Sequence, residues 1–193
     1  MKKTILSTFI LVSFTILLSG CFACCVRPIQ YDGAYKGKVI DADTGEPIEG
    51  VVILGTWDTV SSGVGGGVSE YYDAKETVTD KNGEFTLPGV GLRINIINKL
   101  DSMLVLIFKT GYGYIGEGLW ESYKKYSENF TVNGNMVIIR LKKLTSEERR
   151  KHSSLPSRPA ALTKKMKLMT KEIDRARREQ GLEPLSEEGN QDH

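Results

Sequence analysis

Tyr35-Lys36-Gly37-Lys38-Val39-Ile40-Asp41, Asp43-Thr44-Gly45-Glu46-Pro47 and Gly50-Val51-Val52-Ile53-Leu54 decide the fold of this chain. The first stretch alternates polar and apolar residues, the period of a strand with one buried face. The second is a dense turn signal of Asp, Thr, Gly and Pro. The third is a short, β-branched apolar run, as a buried strand requires. Further along, Glu76-Thr77-Val78-Thr79 and Glu84-Phe85-Thr86-Leu87 flank Asp80-Lys81-Asn82-Gly83, which reads as a hairpin whose Asn-Gly favours positive φ. Leu92–Ile97, Met103–Lys109 and Met136–Leu141 are predicted strands. Short strands separated by Gly, Asn and Pro turns, with no long amphipathic helix between them, predict an antiparallel sandwich.

The stretch from Gly37 to Ile53, the turn and flanks from Thr79 to Leu87, Lys109-Thr110-Gly111-Tyr112 and Val137-Ile138-Ile139-Arg140-Leu141 occur in that order. Together they resemble the carboxypeptidase regulatory-like domains, a transthyretin-like family. The resemblance covers residues 35–143 and implies an all-β fold, a seven-stranded Greek-key sandwich that is usually non-catalytic. In that family the domain accompanies peptidases, outer-membrane receptors and surface proteins as a structural or binding accessory. Two segments, Thr56–Ala74 and Gly113–Thr131, are longer than the family pattern. The helical extension, residues 144–193, lies outside it.

At the other end, Lys2 and Lys3 precede an apolar run from Ile5 to Leu18, which closes on Leu18-Ser19-Gly20-Cys21. This resembles a bacterial lipoprotein signal peptide with its lipobox. The resemblance implies removal of residues 1–20, lipidation of Cys21, and a tether over residues 21–34 that stands the domain off a membrane. A retained span wants about 20 apolar residues, and this run is shorter and carries Ser and Thr. No A-x-A-like site stands cleanly at this position. Phe22, not Asp, follows the cysteine, which by the sorting habit of enteric bacteria favours the outer membrane.

Composition narrows the function. Charged residues are 26% of the chain and the formal net charge is +2, so no nucleic-acid signal appears. After Cys21 only Cys24 and Cys25 remain, which excludes a disulfide framework for the folded domain. That adjacent pair is open to a strained mutual bond, an intermolecular bridge, lipidation or the free state. The only histidines are His152 and His193, so no zinc site is expected. The sandwich thus lacks the usual base for a Ser or Cys nucleophile, and a non-enzyme without cofactor is expected. Gly63-Val64-Gly65-Gly66-Gly67 lacks the Gly-Lys-Ser/Thr ending of a P-loop and reads as a loop between strands. Asp80, Asn82 and Glu84, with Asp41, Asp43 and Glu46 nearby, offer oxygen ligands for calcium. They lack the EF-hand series, and turn chemistry accounts for them, so no metal site is expected.

Thr145 and Glu148 form a capping box for a short helix. After Pro156 and Pro159 a second helix is predicted from Ala160 to Gln180, stopping at Gly181 with Pro184 beyond. Leu162, Met166, Met169, Ile173 and Ala176 make a narrow apolar stripe, opposite Lys164, Lys165, Lys167, Lys171, Arg175, Arg177 and Arg178. A stripe this narrow suits docking on the sandwich or on another subunit, and the basic face could instead meet anionic headgroups. An acidic tail with Glu183, Glu187, Glu188 and Asp192 follows.

Aromatic residues supply the candidate binding surface. Trp57, Tyr71 and Tyr72 flank the Gly-rich insertion, and Tyr114, Trp120 and Tyr123 crowd the second long segment beside Tyr112 and Tyr126. On a sandwich rim such rings would stack on a glycan or anchor an envelope protein partner; their competing role is to cover the core. The expectation is a membrane-anchored, non-enzymatic lipoprotein that binds a protein partner or carbohydrate. An anchor subunit of an envelope or secretion assembly is the third reading, for which the chain carries no specific motif.

Overall fold

Alternation in Tyr35–Asp41 is realised as a strand in which Gly37, Val39 and Asp41 are buried. The computed structural model describes residues 29–63, 66–95, 97–151 and 165–185. The signal segment, Cys21, Cys24, Cys25 and the tether up to Pro28 lie outside the described residues. So do Pro156 and Pro159, with Ala160, Leu162 and Lys164 of the second predicted helix and Glu187, Glu188 and Asp192 of the tail.

Within the described residues the strands are β1 (Ile29–Asp32), β2 (Tyr35–Asp41), β3 (Val52–Gly63), β4 (Gly66–Val78), β5 (Glu84–Leu87), β6 (Gly91–Ile94), β7 (Asn98–Leu100), β8 (Leu104–Phe108), β9 (Ile115–Leu119), β10 (Phe130–Asn133) and β11 (Met136–Leu141). The helices are α1 (Trp120–Tyr126), α2 (Ser146–Lys151) and α3 (Lys167–Glu179). One sheet has the order β10-β11-β2-β5, and a second runs β4-β3-β8-β9 with β7 added on β3. The β11–β2 pair is parallel, Ile139 opposite Val39, and the other pairs are antiparallel. A separate two-stranded sheet joins β1 to β6.

The two main sheets share one core: Val39, Phe85, Ile139 and Leu141 from the first meet Ile53, Val105, Ile107 and Ile115 from the second. The outer face of the second sheet is buried as well, with Val52, Leu54, Leu106 and Phe108 under Met166, Met169 and Ile173. Both faces of Val52–Leu54 in β3 and of Val105–Phe108 in β8 are therefore dry, which is why those stretches read as unbroken apolar runs rather than alternating ones. The result is a β-sandwich with a C-terminal helix as a third layer. The predicted stripe does dock on the sandwich, through Met166, Met169, Ile173 and Ala176. Gly181, at φ +73°, ends the helix as read.

Of the eleven strands among the described residues, nine lie in the two main sheets. Four expectations need correction. The flanks of Asp80–Gly83 do not form a hairpin, because β4 pairs with β3 while β5 pairs with β2 in the other sheet. The reversal itself is as read: Asp80 Oδ1 accepts the N–H groups of Asn82 (2.9 Å) and Glu84 (2.8 Å), and Gly83 has φ +72°. Turn chemistry dictates a change of direction but not which strand each arm pairs with; burial of Phe85 and Leu87 between the sheets decides that. The Gly-rich insertion is a long extension of the β3–β4 hairpin rather than a loop, with Ser61 opposite Val68. Its β3 arm is braced by β7 through Thr59, Val60 and Ser61. Finally, Ile29–Asp32, expected in the tether, form β1, and the predicted strand Leu92–Ile97 is divided between β6 and the turn leading to β7.

Candidate functional site

Trp57 is fully buried and Trp120 is 3% exposed, so neither tryptophan stands on a rim. They belong to an aromatic cluster that fills one end of the sandwich. Tyr35 lies 6.2 Å from Trp57 and 5.7 Å edge-on from Trp120, between ring centroids. Trp120 meets Phe130 at 5.8 Å, and Tyr123 stacks on Phe130 at 5.1 Å. The Tyr123 hydroxyl donates to the Gly116 carbonyl at 2.8 Å, and burial pushes its pKa up. Three of the six candidate aromatics, Trp57, Trp120 and Tyr123, are thus packing residues. The predicted loop around the latter two is β9 and α1, which turn their rings inward.

Tyr71 and Tyr72 do stand at the surface, on β4. Trp57 faces Asp73 and Asp58 faces Tyr71, which leaves Tyr72 as the extra residue of a β-bulge. The Arg93 guanidinium lies 4.7 Å from the centroid of the Tyr72 ring. Tyr114 is elsewhere, packed against the cluster beneath α3.

Tyr114 lines a cleft of about 260 Å³ where α3 and α2 meet the turn after β8. Phe108 and Ile173 form its apolar floor, Tyr112 and Tyr114 one wall, and Arg149, Arg177 and Glu179 its rim, which is basic by one charge. The turn is clasped to the helix: Thr110 N–H donates to Glu172 Oε1 at 2.9 Å, and the Thr110 hydroxyl donates to the Glu172 carbonyl at 3.1 Å. Tyr112 is held by Asp41, and burial together with that carboxylate raises its pKa. Asp41 is itself held below the usual carboxylate range by the N–H groups of Thr44 (3.1 Å) and Asp43 (2.9 Å). Across the mouth Arg149 pairs with Glu179 at 3.6 Å.

Apolar floor, phenol wall and basic rim suit an apolar or aromatic side chain that carries, or sits beside, an acidic group. Both histidines lie outside the described residues. Among the described residues no three His, Cys, Asp or Glu side chains converge as a metal site requires. The oxygens of Asp41 and Asp80 considered for calcium serve turn N–H groups instead. Reading the sequence picked out Tyr114 but not Arg149, and set Arg177 on an open basic face, because α2 and α3 reach this turn through contacts such as Leu144 N–H to the Gly111 carbonyl and Thr110 to Glu172, 62 residues apart.

No protein-family model matches the chain, and no curated protein matches it. Among solved structures it is distantly similar to a 3-chlorocatechol 1,2-dioxygenase from Rhodococcus opacus 1CP, with 16% identity, a TM-score of 0.31 and coverage of 59% of this chain and 60% of that one. It is also distantly similar to a 9R-lipoxygenase from Cyanothece PCC8801, with 11% identity, a TM-score of 0.27 and coverage of 75% of this chain and 23% of that one. The chain therefore spans less than two thirds of either protein.

Proposed function

We propose that this chain is a non-enzymatic envelope lipoprotein, held by lipid on Cys21, whose sandwich serves as a binding module for a protein partner. One observation carries the reading: the apolar run closing on Leu18-Ser19-Gly20-Cys21 is followed, eight residues later, by the first strand at Ile29. A short tether of that kind places a folded module directly at a membrane surface. The transthyretin-like, carboxypeptidase regulatory-like assignment, a seven-stranded Greek-key sandwich, is supported by β2, β3, β4, β5, β8, β9 and β11, seven of the nine strands in the two main sheets, whose other members are β7 and β10. The crossing from β2 to β3 and back from β4 to β5 is the kind of connection a Greek key makes. The outer membrane is the proposed address, from Phe22.

The partner surface is the cleft at Tyr114, whose basic rim favours an acidic protein segment. A glycan reading keeps little support, since Trp57 and Trp120 fill the core. The test is fractionation of cells making the native chain or Cys21→Ser. The native protein should sediment with membranes and incorporate labelled palmitate; the variant should do neither. A photo-crosslinker at Arg149 should capture one dominant envelope protein, and Tyr114→Ala should reduce that yield. A variant that remains fully membrane-bound overturns the anchor, and an Arg149 probe that captures nothing overturns the partner surface.

A further inference from the structure

The two-stranded sheet β1–β6 is built inside out. Ile29 pairs with Ile94, Gln30 with Arg93, Tyr31 with Leu92 and Asp32 with Gly91. Residues directly opposite in an antiparallel pair share a face. One face therefore carries Ile29, Tyr31, Leu92 and Ile94, which are 63%, 77%, 67% and 71% exposed; Ile97, in the adjoining turn, is 84% exposed. Among the described residues this face bears no charged side chain.

The polar residues point the other way and are engaged there. Arg93 is 9% exposed, lies over the Tyr72 ring, and donates to the Asn98 carbonyl at 3.3 Å and to the Asn98 side-chain oxygen. Gln30 Oε1 accepts the Leu100 N–H at 2.9 Å. Asp32 accepts the Val90 N–H at 2.8 Å and the Tyr35 hydroxyl. These bonds fix the register, and a slip of one residue would exchange the two faces. A half-exposed antiparallel sheet in water normally shows the reverse arrangement, apolar inward and polar outward. Contiguous apolar surface of this kind marks contact with a protein or a membrane.

We propose that this outer face rests in the boundary between headgroups and acyl chains of the bilayer that holds Cys21. The inference rests on the lipid-anchor reading. Cys21 precedes Ile29 by eight residues, so even a fully extended tether keeps β1 within about 28 Å of the acylated cysteine. β1 is thus the first element of the domain to meet that surface. Apolar side chains around a tyrosine, with no charge among them, suit that boundary, where aromatic rings with one polar end accumulate. The contact gives the anchor a second attachment and orients the domain, where acyl chains alone would leave it free to tumble.

The experiment places a reporter on the face. Full-length lipidated protein carrying Ile94→Trp is reconstituted in vesicles of phosphatidylethanolamine and phosphatidylglycerol, with or without brominated acyl chains. Unsubstituted protein gives the background of Trp57 and Trp120, and Tyr126→Trp, at a position 74% exposed on α1, is the control. Expected is a blue-shifted Ile94→Trp emission lost in brominated vesicles, with the Tyr126→Trp emission retained. Protein that sediments with the vesicles while Ile94→Trp stays unquenched overturns the inference and leaves the anchor standing. Ile94→Trp shielded from both brominated lipid and aqueous acrylamide also overturns it, in favour of a protein cover. If Cys21 carries no lipid, the anchor reading fails separately, and quenching of Ile94→Trp in Cys21→Ser protein added to the same vesicles still decides the face.

Discussion

Glu76, on β4, caps the helix that carries Met169. Its two carboxylate oxygens accept the backbone N–H groups of Met169 at 2.8 Å and of Leu168 at 2.9 Å. Met166, at the N-cap position, has no side-chain cap of its own, so the sheet supplies the acceptor that the helix sequence lacks. A carboxylate here also meets the positive end of the helix dipole.

Replacing Glu76 with Ala should cost about 1–2 kcal/mol, the scale of a lost helix cap. Glu76→Gln, which keeps an acceptor, should lose less. Urea unfolding gives the energies, and amide exchange should rise first in Lys167–Ile173. Unchanged exchange there would show that apolar packing alone holds α3.

Packing makes its own prediction. Met169 is fully buried between α3 and the outer face of the second sheet, whereas its neighbour Leu168 is 41% exposed. Met169→Ala should destabilise by about 2–5 kcal/mol, and Leu168→Ala by no more than about 0.5 kcal/mol. Equal effects in denaturant melts would mean that α3 sits in another rotation.

Much of this packing is legible in the chain and some of it is not. Met166, Met169 and Ile173 recur at helical spacing, and the apolar runs at Val51–Leu54 and Leu104–Phe108 show strands with no wet face. What they leave open is which surface receives the stripe, because both of those runs have a second face to cover. Trp57 and Trp120 mislead for a related reason: polar and glycine neighbours such as Thr56, Asp58, Gly118 and Glu121 look like loop, yet strand and helix geometry turn the indoles inward. The inverted β1–β6 face has a local signal, alternation in Ile29–Asp32 and Leu92–Ile94. Periodicity says which residues share a face and not which medium that face meets.

The tryptophans therefore separate a core role from a rim role. Trp120→Ala should destabilise by about 3–5 kcal/mol, as the loss of a buried aromatic does. Tyr126→Ala, six residues on and 74% exposed, should change stability by less than about 0.5 kcal/mol. Thermal melts of the two variants decide the matter. A Trp120→Ala protein of native stability would return that ring to the surface.

The capping box at α2 should respond to acid. Glu148 accepts the Thr145 N–H at 2.9 Å and Lys142 Nζ at 3.1 Å, and Thr145 Oγ1 accepts the Glu148 N–H at 3.3 Å. Those partners, the Thr145 N–H first, lower the Glu148 pKa from 4.5 to about 2. A carboxyl whose folded pKa is depressed stabilises the fold above its unfolded pKa, and that support fades as pH falls through the folded value. The first turn of α2 should accordingly hold at pH 5 and fray between about 4.5 and 2. A carboxyl-carbon titration by NMR should find the Glu148 midpoint near the lower figure, and Glu148→Gln should remove that pH response. A midpoint at the ordinary glutamate value would mean that the box is open in solution.

Thr79 ties together two of the places where the chain changes sheets. Its hydroxyl accepts the Val51 N–H at 2.8 Å and donates to the Ile48 carbonyl at 2.7 Å, while its own N–H donates to the Val51 carbonyl at 3.0 Å. Ile48–Val51 is the crossing from β2 to β3, and Thr79 is the last residue before the Asp80 turn that leads to β5. The site is 3% exposed, so water cannot replace the hydroxyl. Thr79→Val keeps the shape but leaves a buried N–H and a buried carbonyl without this partner, at a cost of about 1–3 kcal/mol. Thr79→Ser keeps both bonds and loses only a methyl, about 1 kcal/mol. Chemical denaturation should rank native above Ser above Val, and a Val variant as stable as native would mean that the crossings hold without the hydroxyl.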